Sequence, residues 1–144
     1  MTKRRNMIIA SVGAAVAAGI VTVSAVAGAA SAPTNHTIRL IATQTASHNF
    51  SRSSGVEADT DRHNGKVIGY DVLSFIGTGG GKLLGSFATR GGVINFRIPL
   101  TKTKTLHGKV TGGSGRFSGV SGTIAATPLN KANTRTAVKI VWHH

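Results

Sequence analysis

From His36 to the C-terminus no stretch of ten residues carries apolar positions at helical spacing; the repeat is two. Val93 to Leu100 displays it most plainly, with Ile94, Phe96, Ile98 and Leu100 on one side and Asn95 and Arg97 on the other. Val138, Ile140 and Trp142 alternate with Ala137, Lys139 and Val141, and Ile38, Leu40 and Ala42 alternate with Thr37, Arg39 and Ile41. Each run predicts a strand with one buried face. Further strands are expected in part of His63–Ile76 and over Lys82–Arg90, Thr105–Thr111 and Val120–Ala126, roughly a dozen residues per strand and turn. Gly77–Gly81, Gly91-Gly92 and Gly112–Gly115 separate them as turns or loops. Ser47–Asn64 interrupts the pattern and reads as a long polar loop, with a short strand around His48–Phe50; it carries Glu57, Asp59 and Asp61. Such spacing suits a sandwich or a closed antiparallel barrel. The barrel is preferred because closure removes exposed strand edges.

The first 32 residues read differently. Lys3, Arg4 and Arg5 precede an uncharged stretch from Met7 to Ala32 that ends in overlapping small-residue triplets, such as Ala25-Val26-Ala27 and Ala30-Ser31-Ala32. This is the pattern of a secretory signal peptide, cut between about residues 27 and 32. The competing reading is a membrane anchor, so membrane attachment is expected only through an uncleaved leader. The expectation is a secreted, extracellular protein whose single domain spans residues 33–144. The absence of cysteine excludes a lipid-anchored form, a disulfide framework and a thiolate metal site. Of 17 basic residues three fall in the leader, and none of the four acids does, which leaves 14 against four and a net charge of +10.

The glycine run from Gly112 to Gly122 is not a phosphate cradle, because no helix N-terminus and no Lys-Ser or Lys-Thr pair follows it. Val110-Thr111-Gly112-Gly113-Ser114-Gly115-Arg116-Phe117, followed by Gly119-Val120-Ser121-Gly122-Thr123, resembles the signature V-x-G-G-T-G-x-[FY]-x-G-A-x-G of the allene oxide cyclase and dirigent superfamily. Gly69–Phe75 and Gly85–Gly91 occupy the places of that family's G-D-x-L-x-F and G-x-x-x-G strands, and order and spacing agree from about Ile38 to Trp142. With its leader the chain is similar to secreted actinomycete members that have no assigned activity. The resemblance implies an eight-stranded antiparallel barrel whose interior is filled by side chains or holds one small, mostly apolar ligand. Plant members either close an epoxide-bearing fatty acid into a cyclopentenone or steer the coupling of phenolic radicals. Arg116 stands where coupling-directing dirigent proteins commonly place an acid. The resemblance therefore carries over fold better than chemistry.

Asp71 is the one candidate for catalysis: on a two-residue repeat it shares a face with Leu73 and Phe75, and a carboxyl inside an apolar barrel would hold its proton at raised pH. The alternative places Asp71 at a rim, paired with Arg90 or Arg97. Tyr70, Asp71, Phe75, Phe87, Phe96 and Trp142 are the candidate ligand-binding residues. The histidines are scattered and predict no metal site, and no cofactor is implied. Arg97, Lys102, Lys104, Lys109 and Arg116 are the candidate polyanion-binding residues. Without aromatics among Lys102–Lys109, a wall or envelope polymer suits them better than a specific nucleic acid. The leading expectation is a ligand-binding barrel without an assigned reaction. A basic protein held on an anionic envelope polymer is the alternative, and a cyclase or isomerase acting on a lipid-like or phenolic substrate is the second. The sequence sets no oligomeric state.

Overall fold

A computed structural model describes residues 33–77 and 80–144, and the leader reading lies outside them. Eight strands follow in order: β1 His36–Ser51, β2 Ser54–His63, β3 Lys66–Ile76, β4 Lys82–Thr89, β5 Gly92–Pro99, β6 Leu106–Gly115, β7 Ser121–Pro128 and β8 Arg135–His143. Each pairs antiparallel with the next, and β1 pairs with β8, so the sheet closes into a barrel without a free edge. The alternating runs that predict strands fall inside β1, β5 and β8, except that Leu100 lies just past the end of β5.

Two expected loops are strands. Ser47–Asn64 contributes the last part of β1 and all of β2, joined by a tight turn at Arg52-Ser53 and paired from Ser51↔Ser54 to Ser47↔Glu57 across an irregularity between Asn49 and Ser51. The reason is an inverted pattern. The inward positions of β2 are Gly55, Glu57, Asp59 and Asp61, while Val56 and Ala58 lie on the other face, so the apolar repeat that betrays a half-buried strand is missing. A two-residue hairpin turn, Asn64-Gly65, then leads into β3 with φ of 48° and 78°, values that favour these two residue types. Gly112–Gly115 is likewise part of β6, paired with β5 across an irregularity between Asn95 and Phe96. The reversal falls at Arg116–Gly119 instead.

The two ends of the barrel are built differently. At one end the β6–β7 turn folds Phe117 and Val120 inward, both buried. Phe117 meets Trp142 edge-on at 5.6 Å, Trp142 stacks on His36, and the Arg116 guanidinium lies 4.7 Å above the Phe117 ring. Ile94 and Val110 complete this packed half. Fully burying side chains of this size stabilises by roughly 1.5–3 kcal/mol each. The other end carries the β1–β2, β3–β4, β5–β6 and β7–β8 connections. Six exposed basic residues ring it: Arg52, Lys82, Lys102, Lys104, Lys131 and Arg135.

Candidate functional site

Beneath that basic ring the barrel interior opens into a cavity of about 330 Å³. Leu40, Phe87, Phe96 and Ile140 form its deep part, and Phe75, Leu100, Pro128 and Asn133 lie toward the mouth. The space exists partly because Gly85 faces Phe96: a Cβ there would lie 2.3 Å from that ring and 2.6 Å from the Leu73 side chain. Most of the wall is aliphatic or aromatic. One sector is not.

Glu57 and Asp59 on β2 and Asp71 on β3 line the cavity together. Strand geometry brings them there, because residues two apart share a face and Asp59 is the direct cross-strand partner of Asp71. Asp61, two residues beyond Asp59 and paired with Gly69, continues the row below the cavity and is fully buried. These are all four acids of the chain. Glu57 accepts a hydrogen bond from Gln44 Nε2 at 2.8 Å. Asp59 Oδ1, Asp71 Oδ1 and both Asp61 oxygens are buried without a hydrogen-bonding partner.

Every Lys and Arg among the described residues is exposed. The barrel wall thus sorts charge completely, cations outside and acids inside, and it leaves the acids without counter-charge. Loss of water is the main cause that holds Asp71 in its protonated form, reinforced by the neighbouring Asp61, Asp59 and Glu57, and its pKa is pushed up to about 8. Burial, and secondarily Asp59, pushes Asp61 up to about 7. Asp59 is raised by burial, while Glu57 is raised by burial and by Asp59, with the Gln44 hydrogen bond opposing. A carboxyl that keeps its proton near neutrality can donate a hydrogen bond or that proton; once ionised it can accept a proton or face a cation. No group of three or more His, Asp or Glu side chains suited to a metal ion occurs among the described residues.

The residues singled out from sequence divide accordingly. Asp71 is buried and faces inward; it is not at a rim, and it pairs with neither Arg90 nor Arg97, which point outward as exposed side chains. Phe75, Phe87 and Phe96 line the same cavity. Tyr70 does not, because its position on β3 has the opposite parity to Asp71 and its side chain is 61% exposed. Trp142 packs in the closed half and stays out of the cavity. Arg97 and Lys109 are direct cross-strand neighbours on the outer face. Lys102 and Lys104 sit in the loop at the cavity mouth, whereas Arg116 lies at the opposite end of the barrel. Glu57, Asp59 and Asp61 are not among the site residues that the sequence singles out. Their spacing of two, Glu-x-Asp-x-Asp, was the available signal, since on a strand it aims all three one way.

No protein-family model matches the chain, and no curated protein does. Solved structures do. Pyocyanin demethylase is similar with a TM-score of 0.63 and 16% identity, covering 74% of this chain and 99% of its own. The pterocarpan synthase dirigent protein PsPTS1 is similar at 0.56 and 15% identity, covering 77% of this chain and 96% of its own. GePTS1, another pterocarpan synthase dirigent protein, reaches 0.56 at 14% identity, with 78% and 86% covered. The strand order and closure described above, together with these likenesses, show that the chain shares the closed eight-stranded fold of these dirigent-like barrels.

Proposed function

We propose that the protein is exported and binds one small, largely apolar molecule inside the barrel. The observation that carries this reading is the cavity, which is walled by Leu40, Leu73, Phe87 and Phe96 and open at one end only, the other being packed by Phe117, Val120 and Trp142. A pocket with apolar walls and a few convergent polar groups is the usual form of a small-molecule site. Barrels of the same fold that are named for pyocyanin demethylation and pterocarpan synthesis support it. The test is a melting-temperature screen with fatty acids and neutral aromatics, in which a ligand at a hundred times its Kd stabilises by about 2.7 kcal/mol. Substituting Ala126, a small wall residue, by Trp fills the cavity and abolishes the effect. A screen in which no apolar compound stabilises the wild-type protein would refute the proposal.

A second reading has an observation of its own. Arg97 faces Lys109 and Arg39 faces Lys139 as direct cross-strand neighbours on the outer surface, with no acid between them. Like charges placed opposite one another destabilise a sheet, and a bound polyanion would relieve them. Retention on an anionic wall polymer that is lost between about 50 and 200 mM salt would support this role. Retention indifferent to salt would refute it.

A further inference from the structure

We infer that the ligand seated in this cavity carries a positive charge, a protonated amine or a cationic nitrogen heterocycle, and that its charged group docks against Glu57, Asp59 and Asp71 while its apolar body lies on Phe87, Phe96 and Leu40. The inference rests on the cavity reading and narrows it to a ligand class.

Three observations converge. The first is position. Asp59 and Asp71 are each only 6% exposed, are direct cross-strand partners, and border the empty volume. The second is lack of partners, since Asp59 Oδ1 and Asp71 Oδ1 accept no hydrogen bond from the protein. Buried polar groups are ordinarily satisfied, so orphaned oxygens that border the cavity mark a place where something from outside completes the site. The third is number. One carboxyl would suffice to donate a hydrogen bond to a carbonyl or phenol, yet all of the chain's acids are gathered in one sector and none lies on the outer surface. Two carboxylates side by side repel, and a cation between them removes the repulsion that a neutral guest leaves in place.

Among the described residues no other ionisable group faces this sector. β1 contributes Leu40 and Ala42, β4 contributes Leu83 and Phe87, and the lining residues from β5 to β8 are all uncharged. The acids titrate against one another and the guest alone. Asp71, which holds its proton at neutral pH, must give it up to face a cation, so a protonated amine enters as one proton leaves the Asp71 carboxyl for the buffer.

The experiment compares three probes of one shape, naphthylmethylamine, naphthylmethanol and naphthoate, by calorimetric titration at pH 7 in two buffers of different ionisation enthalpy. The amine is expected to bind at least about tenfold more tightly than the alcohol, with release of about one proton per ligand, and the naphthoate to bind most weakly. In Asp71→Asn and in the Asp59→Asn, Asp71→Asn double variant the preference for the amine falls by about tenfold while affinity for the alcohol stays within about twofold. The variants remove one or two buried ionisable groups without changing shape, so they are expected to fold, and retained alcohol binding reports that the cavity is intact. Equal binding of amine and alcohol, or tighter binding of naphthoate, would overturn the charge inference and leave the cavity reading standing. Failure of all three probes to bind would overturn both.

Discussion

Replacing Asp71 by Asn isolates the energetic consequence of putting acids inside the barrel. Asp71 ordinarily ionises near 3.8, and in the folded protein it is pushed up to about 8 by burial and by Asp61, Asp59 and Glu57. A carboxyl whose folded value lies above its unfolded value favours the folded state fully at pH below about 4, and that advantage is lost as pH rises through about 8. Wild-type stability is therefore expected to fall from pH 4 to pH 9. At about 1.36 kcal/mol per tenfold change in proton affinity, the full displacement corresponds to about 5 to 6 kcal/mol. Water at the cavity mouth and the sharing of protons among four acids reduce this to roughly 2–3 kcal/mol. Asn has the same shape and nothing to ionise. The variant should match wild type at pH 4 and exceed it by roughly 2–3 kcal/mol at pH 9, a rise in melting temperature of about 10 °C for a domain of this size. Thermal unfolding of both proteins across this range provides the measurement. A difference that is constant with pH, or a wild-type protein more stable at pH 9 than at pH 4, would refute the reasoning.

Three further outcomes follow from the geometry. Gly85→Val drives a side chain into the Phe96 ring and Leu73, and should lower stability by about 1–3 kcal/mol in denaturant titration while removing ligand binding. Gly65→Ala meets open space but must hold a φ of 78°, so it should cost about 1 kcal/mol and leave the cavity untouched, as judged by an unchanged ligand affinity. Removing two charges with Arg97→Gln and Lys109→Gln should reduce the salt dependence of retention on an anionic matrix, with stability unchanged or slightly raised because two like charges no longer face one another.

The parts of the barrel visible in the sequence are those where the inside is apolar and the outside polar. Ile94, Phe96 and Ile98 against Asn95 and Arg97 announce β5, and the same contrast marks β8 and the first part of β1. Strand β2 was hidden because its contrast is reversed: its carboxylates are inside, and Val56 and Ala58 outside. Patterns of hydrophobicity assume that burial and polarity exclude one another, and a cavity walled in part by carboxyls is where that assumption fails. The same failure concealed the site. Asp71 was visible because Leu73 and Phe75 share its face, whereas Glu57, Asp59 and Asp61 have no apolar neighbour at the right spacing to show that they point inward. Residue type alone puts Tyr70 in the cavity, and strand parity places it outside.

The ring of Arg52, Lys82, Lys102, Lys104, Lys131 and Arg135 around the mouth has a kinetic meaning. A guest of the proposed site would pass this positive collar before meeting an acid, and charges at the mouth act over a screening length of about 8–10 Å in physiological salt. For a cationic guest the collar is a barrier, so arrival should quicken as ionic strength rises, the reverse of ordinary electrostatic steering. An amine can also cross as its neutral base and take its proton inside from Asp71, in which case the rate of capture climbs with pH. Capture and retention would then be governed by opposite charges at two depths of one pore, with the collar setting how fast a guest arrives and the acids how long it stays.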